Sequence, residues 1–480
     1  MPDSNRYDVL IRGGTVVDGT GAPRRQEDLA LRDGRIAAMG DLRDADARHT
    51  IDAQGLIVAP GFIDSHAHDD YAVIETPDMA FKVLQGVTTV VNGNCGLSLA
   101  PLVTRERPPA PLDLLGDAYH YRDFATYRAA VDAADPAVNV AAMIGHSTLR
   151  VRHMADLQRA ATRAEIAAMR ADLADGLRAG AIGMSTGTFY PPAAHAPAEE
   201  IIEIGAPLRE LGGVYATHLR DEGDEILEAI EESLRIGAAL QAPIIFSHHK
   251  LVGTRNHGRS EETLAVLAQA AARQPLCADC YPYAASSTML RPERVEICDR
   301  IMVAWSAPHP EASGRDLREL AREWGCSARE AAERLLPAGA VYFIMDEGDV
   351  RRILSWPETM VGSDGLPKDI RPHPRLWGTF PRVLGHYARD VGLFSLEAAV
   401  HKMTGLTAAK FGLSGRGVLR AGNIADIVVF DAARIADTAT FDAPEGAPLG
   451  IEYVLLGGRM TVTHGTPTGA RGGRYIGRSA

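Results

Sequence analysis

His66 and His68 stand two residues apart in Gly61-Phe62-Ile63-Asp64-Ser65-His66-Ala67-His68-Asp69-Asp70, directly after the apolar run 56–63. Residues two apart in a strand project from the same face, so both imidazoles point to one side of the strand's end. Such a pair needs further ligands to hold a metal. Candidates occur after four other apolar runs: Cys95 in Asn92-Gly93-Asn94-Cys95-Gly96, His218 in Ala216-Thr217-His218-Leu219-Arg220, His248 in Phe246-Ser247-His248-His249-Lys250, and Asp364 in Gly362-Ser363-Asp364-Gly365. Thiolate, imidazole and carboxylate together suit zinc. Cys95, His218 and His248 form a three-ligand set whose fourth position stays open for water, as in catalytic zinc sites.

Other residues of the right type fall elsewhere. Cys277 and Cys280 form a Cys-x-x-Cys inside an apolar strand with no second pair at zinc-ribbon spacing, so they read as packing. His249 neighbours His248 on a strand and points the opposite way. His146, in Gly145-His146-Ser147, either lines the site or is a structural histidine. The glycine-rich turns match no phosphate loop, and no nucleophile elbow with partners in order is present.

The elements that must position these groups alternate strand and helix. Strand candidates are 56–65, 87–92, 138–144, 181–185, 213–217, 243–247, 276–279 and 359–363, with helical stretches between them such as 166–177, led by a Thr162/Glu165 capping box, and 224–236. Eight βα units predict an α/β fold, a (β/α)8 TIM-like barrel, and catalytic groups on its C-terminal rim. The stretch between strands seven and eight is longer than a connection needs, so an inserted subdomain, 284–346, is expected over the rim. Helices at 314–323 and 328–336 and an apolar run at 341–345 lie within it. Short strands at 7–12, 14–17, 28–31 and 35–39 recur in texture at 424–431, 451–456 and 459–464. This predicts a small β-sandwich domain built from both termini, 1–59 and 415–480, around a barrel at 60–414.

A chain of 480 residues, 46% hydrophobic and 23% charged, is ordinary for a globular protein. Its formal net charge of -12 leaves no basic footprint for nucleic acid or a membrane surface. Lysine occurs only at Lys82, Lys250, Lys368, Lys402 and Lys410, which makes each worth locating. A polar start without a signal-peptide pattern, no run long enough to span a bilayer and five cysteines point to the cytoplasm. The number of subunits stays open, a monomer included.

Three further segments extend the pattern across nearly the whole chain: Tyr7-Asp8-Val9-Leu10-Ile11-Arg12-Gly13-Gly14, Val58-Ala59-Pro60-Gly61 running into the His66-Ala67-His68 arm, and Gly422-Asn423-Ile424-Ala425-Asp426-Ile427-Val428. Together they resemble the amidohydrolase superfamily. Val91-Asn92-Gly93-Asn94-Cys95-Gly96, Ser247-His248-His249-Lys250, Asp279-Cys280-Tyr281-Pro282-Tyr283 and Gly362-Ser363-Asp364-Gly365-Leu366-Pro367 resemble its zinc-dependent D-aminoacylase branch, the N-acyl-D-amino-acid deacylases. Many members of the superfamily bridge two metals with a carbamylated lysine on the fourth strand. Here 181–186 contains no lysine, which weighs against a hydantoinase or dihydroorotase.

The resemblance implies a tightly held zinc on Cys95, His218 and His248 and a weaker second site at His66 and His68 that shares Cys95. It implies hydrolysis of N-acyl-D-amino acids to a carboxylate and a free D-amino acid, with Asp364 as base and then acid. Lys250, Tyr281 and Arg375 match the family's positions for the substrate α-carboxylate. Phe189, Tyr342 and Met345 are expected to wall a side-chain pocket under the insertion. Glu296 departs from the apolar residue expected in relatives with apolar substrates and would extend acceptance towards cationic side chains. Alternatives are an N-acyl-D-glutamate or D-aspartate deacylase, a dipeptidase releasing D-residues, and a non-catalytic scaffold, which would ordinarily have lost ligands.

Overall fold

In the computed structural model residues 6–117 and 119–478 are described; the outermost residues of the two terminal segments, 1–5 and 479–480, lie outside them. Both ends of the chain contribute to one nine-stranded sheet. Tyr7–Val16 pairs with Arg25–Arg32, and Ile57–Pro60 pairs antiparallel with Ile427–Phe430, which leads on to Ile451–Leu456 and Arg459–Thr463. Alternating apolar residues from both termini, among them Val9, Ile11, Leu29, Val58, Ile427, Val429 and Leu455, make its core. The two runs expected at 7–12 and 14–17 are one strand with a register shift between Ile11 and Gly14. Gly13 takes a left-handed φ of 69° there, which glycine adopts without steric cost. The sheet branches at its first strand. The first half of Tyr7–Val16 pairs in parallel with Ala47–Asp52 and its second half with Ile57–Pro60.

The expected strand 56–65 is two strands. Ile57–Pro60 belongs to the terminal sheet, and Phe62–Asp64 pairs in parallel with Val87–Asn92. Gly61 makes the transition because its N–H is taken by the Asp426 carbonyl at 2.9 Å, and a Cβ there would lie 2.3 Å from the Thr88 side chain.

The middle of the chain forms two arcs of parallel strands. One runs Asn139–Ala142, Val87–Asn92, Phe62–Asp64; the other runs Ile144–Gly145, Gly183–Gly187, Val214–His218, Ile244–Phe246, Leu276–Cys280, Thr359–Val361. Backbone hydrogen bonds join the arcs at both seams, from Ile182 N–H to Ala142 O at 3.0 Å and from Ser65 N–H to Val361 O at 3.3 Å. Every arc strand except the short Ile144–Gly145 sends at least one side chain into a shared apolar cluster or is directly preceded by one that does: Ile63, Val91, Ala141, Ile182, Val214, Ile245, Cys277 and Met360. Helices lie between the strands. Arg163–Arg178 opens on the Thr162/Glu165 capping box, and Ile226–Leu240 runs further than the expected 224–236.

Between Leu276–Cys280 and Thr359–Val361 the chain builds a three-stranded antiparallel sheet, Ser286–Met289, Ala338–Phe343 and Arg300–Ser306, with capped helices Leu317–Glu323 and Ala328–Leu335. Ser286–Met289 is mostly polar and carries no apolar signal. Arg300–Ser306 holds Ile301-Met302-Val303-Ala304, a run that does. Among the described residues no helix is long and apolar enough to cross a membrane.

Candidate metal-dependent active site

All six ligand-type side chains converge at the ends of the parallel strands. Cys95 Sγ lies 3.3 Å from His66 Nε2 and 3.2 Å from His248 Nε2. Two groups share this sulfur, His66 with His68 and His218 with His248, and in each the ligand atoms lie within 4.8 Å of one another. Asp364 Oδ1 faces His68 Nε2 at 3.2 Å and His66 Nε2 at 3.6 Å. Cys95, His248 and Asp364 have φ values of 54°, 36° and 49°, in the left-handed region that non-glycine residues rarely occupy. Backbone strain of about 1–3 kcal/mol per residue is thus concentrated where the side chains must be aimed.

For His66 the surroundings fix which ring nitrogen faces inward. Asp279 lies 3.2 Å from His66 Nδ1 and accepts the backbone N–H of His248 at 2.7 Å. A carboxylate on Nδ1 holds that proton and leaves Nε2 free to coordinate. Burial opposes the Cys95 thiolate, but His248 and His66 outweigh it and hold the thiol well below its usual pKa. Burial pushes His218 well below the ordinary histidine range, towards the neutral form that binds metal. Burial likewise opposes the Asp364 carboxylate, yet Arg375 and the hydrogen bond from His68 keep it ionised far below the usual range.

The donor set fits zinc. Both ring nitrogens of His218 and Nδ1 of His68 are buried without a hydrogen-bond partner. A buried polar group left unsatisfied costs about 1–3 kcal/mol, a deficit that coordination removes for the one nitrogen of His218 that binds the metal. Soft thiolate with imidazole is the chemistry that zinc selects.

Arg375 is fully buried, with Nη1 2.9 Å from Asp364 Oδ2 and Nη2 donating to Ser287 O at 3.0 Å. Its guanidinium lies 4.5 Å from the Tyr281 ring centroid, and Lys250 Nζ lies 5.8 Å from the same ring. Lys250 donates to Glu222 Oε1 at 2.6 Å and to His248 O at 3.1 Å, and its Nζ lies 2.6 Å from His248 Nδ1. A cavity of ≈ 560 Å³ opens beside this group, lined by Phe189, Glu222, Arg291, Arg294 and Glu296 among others. Glu296 is exposed at its edge. Tyr342 does not line it: the ring is buried, and the hydroxyl donates to Met289 O and accepts the N–H of Arg291. Met345 sits beneath Tyr281, its sulfur 3.5 Å from the hydroxyl.

His146 is not brought to the metal cluster. Its Nε2 faces Glu200 Oε1 at 3.3 Å in a buried network with Arg150. His249 turns away to Thr263 Oγ1 at 2.9 Å. Cys277 is buried in the strand cluster described above and Cys280 in the surrounding core, and all five cysteines are free. Sequence reasoning missed Glu222, Asp279 and Tyr190. Tyr190 packs 4.8 Å from the His218 ring and hydrogen-bonds Thr288 at 3.1 Å. Tyr190 follows the fourth-strand candidate and Glu222 follows His218, so the rule that rim residues carry chemistry could have found both.

Parallel strands that deliver a cysteine, four histidines and an aspartate to one rim define a metal-dependent hydrolase. An amidohydrolase family model matches residues 49–462, and the chain belongs to the amidohydrolase family. It is 57% identical to a D-aminoacylase of Alcaligenes xylosoxydans xylosoxydans over 480 residues, covering 100% of this chain and 99% of that one. An N-acyl-D-aspartate deacylase of the same organism is 55% identical, over 96% of this chain and 93% of that one. The crystal structure of N-acyl-D-glutamate deacylase from Bordetella bronchiseptica, with zinc and a phosphonate mimic of the tetrahedral intermediate, superposes with a TM-score of 0.96 at 49% identity, over 98% of this chain and 99% of that one.

Proposed function

We propose that the protein is a zinc-dependent deacylase of N-acyl-D-amino acids, releasing a carboxylate and a free D-amino acid. The observation that carries the reading is the placement of Asp364 between the Cys95–histidine cluster and Arg375. Zinc, when bound by Cys95, His218 and His248, supplies Lewis acidity that brings the pKa of a water towards ~7. Asp364 takes the proton from the attacking water and returns it to the leaving amine, one group serving as base and then acid. Arg375 holds the substrate α-carboxylate beside Tyr281, with Lys250 Nζ 5.8 Å from the same ring, and a guanidinium can do so with two hydrogen bonds. His66 and His68 form the weaker second site.

Scaffold and location follow the same reading. The two arcs close into one (β/α)8 barrel over residues 60–414, supported by the hydrogen-bonded seams and the shared interior cluster. The insertion 284–346 covers the rim, and 1–59 with 415–480 make the small β domain. The partner is a small molecule rather than nucleic acid or membrane, and five free cysteines suit the cytoplasm.

Side-chain choice is set in the cavity under the insertion. Phe189 offers an apolar wall, and Glu296 at the edge extends acceptance to cationic side chains. Arg291 and Arg294 in the same wall favour a second reading, an acidic D-side chain. Rates with N-acetyl-D-methionine, N-acetyl-D-arginine and N-acetyl-D-aspartate separate them. Methionine and arginine ahead of aspartate supports the first reading. Aspartate ahead of both supports the second. No hydrolysis of any of the three overturns the proposal.

A further inference from the structure

Lys82 is the one lysine that is completely buried and lies apart from the proposed substrate contacts. It sits on the short helix Ala80–Val83, and its ammonium reaches Asp64 Oδ2 at 2.6 Å, Ser363 Oγ at 2.8 Å and Asp69 Oδ2 at 3.3 Å. Asp64 uses its other oxygen to accept the N–H groups of Ser363 at 2.8 Å and His66 at 3.2 Å. Ser363 Oγ in turn accepts the N–H of Gly365 at 3.2 Å. The residues on either side of Asp364 are therefore both fixed, and Asp64 and Asp69 bracket the His66-x-His68 arm.

The place matters as much as the partners. Phe62–Asp64 and Thr359–Val361, the first and last parallel strands, share no regular ladder. Backbone contact across this seam rests on the Ser65-to-Val361 bond at 3.3 Å, the Asp364 N–H to His66 O bond at 2.7 Å and a bridge between Ala67 and Gly365. A seam so thinly tied would let the Asp364 loop shift against the histidine arm. Buried ion pairs contribute little net stability, because desolvation of the charges offsets their attraction. A fully desolvated ammonium with three polar partners at this seam therefore has more to offer in register than in stability.

We infer that Lys82 is a positioning residue, a clamp which holds Asp364 in register with His66 and His68 and leaves the Cys95, His218 and His248 site to other supports. Those three ligands follow the second, fifth and sixth parallel strands; the second lies beside Phe62–Asp64, but none of the three hydrogen-bonds Lys82, Asp64, Asp69 or Ser363. The kinetic part of this inference rests on the proposed deacylase reading, and its metal-binding part does not.

Two variants test it in the zinc-loaded full-length protein. Ser363→Ala removes one hydroxyl of the clamp and keeps every charge paired. Lys82→Met removes the ammonium at similar length; should it fail to fold, Ser363→Ala still decides. Expected is a fall in kcat for N-acetyl-D-methionine of about tenfold for Ser363→Ala and about 100-fold for Lys82→Met, with KM within about twofold, as misplacement of a catalytic group by ~1 Å produces. The tightly held zinc should stay at one per chain while uptake of cadmium at His66 and His68, titrated into the zinc enzyme, weakens by about tenfold. Unchanged kcat and cadmium affinity with only a lowered Tm would overturn the clamp. So would equal loss at both metal positions. If the wild type takes up cadmium but hydrolyses none of N-acetyl-D-methionine, N-acetyl-D-arginine and N-acetyl-D-aspartate, the deacylase reading falls and the clamp is judged on the cadmium affinities alone.

Discussion

Asp364 Oδ2 lies 2.9 Å from Nη1 of Arg375 while its other oxygen faces His68 Nε2 at 3.2 Å, so the proposed proton carrier is tied to the proposed carboxylate-binding cation. Arg375→Met should act on both roles. Loss of the guanidinium should raise KM for N-acetyl-D-methionine by about 10- to 100-fold, the worth of a charge-assisted hydrogen bond of ~1.5–3 kcal/mol. Arg375 also lowers the Asp364 pKa, so its removal raises that pKa and should move the acid limb of the kcat profile to higher pH. A pH–rate series on wild type and variant checks this. An unmoved limb would mean that Asp364 is not the group titrating there.

Cys95 is shared by both candidate metal groups. Cys95→Ala should therefore empty the tight site and leave less than ~0.1 zinc per chain, the usual consequence of removing one of three protein ligands. Metal analysis after dialysis is the check, and full zinc content would contradict the ligand assignment.

Gly187 lies at the end of Gly183–Gly187, and a Cβ there would stand 2.2 Å from the carbonyl oxygen of Cys95. Backbone cannot swing aside as a flexible side chain can. Gly187→Ala should displace Cys95, with stability lowered by about 1–3 kcal/mol and zinc affinity reduced. Thermal melting with zinc counting reads both effects.

The buried network of Arg150, Glu200 and His146 ties Pro192, beyond the Phe189–Tyr190 loop, to the helix His146–His153, with Arg150 donating to Pro192 O at 2.7 Å. Arg150→Met would leave Glu200 without its buried guanidinium partner and should cost about 3–5 kcal/mol. Burial opposes the Glu200 carboxylate, but His146 and Arg150 lower its pKa to about 2. A depressed folded pKa gives stability that is present above the unfolded value of ~4.3 and lost as pH falls towards the folded one. Wild type should therefore lose this contribution between pH ~4.3 and about 2, and the variant should show a shallower loss. Denaturant midpoints across that range are the measurement.

The metal cluster was legible because each ligand follows an apolar run of strand length, and strand ends in a βα fold share one rim. His66 and His68 also carried their own geometry in the spacing. The strand 56–65 misled because hydrophobicity continues through Pro60 and Gly61 while the pairing partner changes from Ile427, opposite Pro60, to Val87, opposite Phe62, which is a tertiary event. Lys250 was expected at the substrate carboxylate, and its tie to Glu222 depends on a contact between separate strand-end loops that no local pattern encodes. Lys82 stood out by rarity alone. Its partners Asp64, Asp69 and Ser363 come from the first and last parallel strand ends, far apart in sequence, so its place became visible only in three dimensions.

The central claim is stereospecific, zinc-dependent deacylation, and it is tested by hydrolysis of paired N-acetyl-D- and N-acetyl-L-methionine with wild type and Asp364→Ala, zinc being counted in the same samples. The account expects D-selective release of methionine by wild type, loss of at least ~1,000-fold in kcat for Asp364→Ala, and about one zinc per chain in both proteins. Preference for the L-enantiomer, or retained turnover in Asp364→Ala at full zinc content, would contradict it.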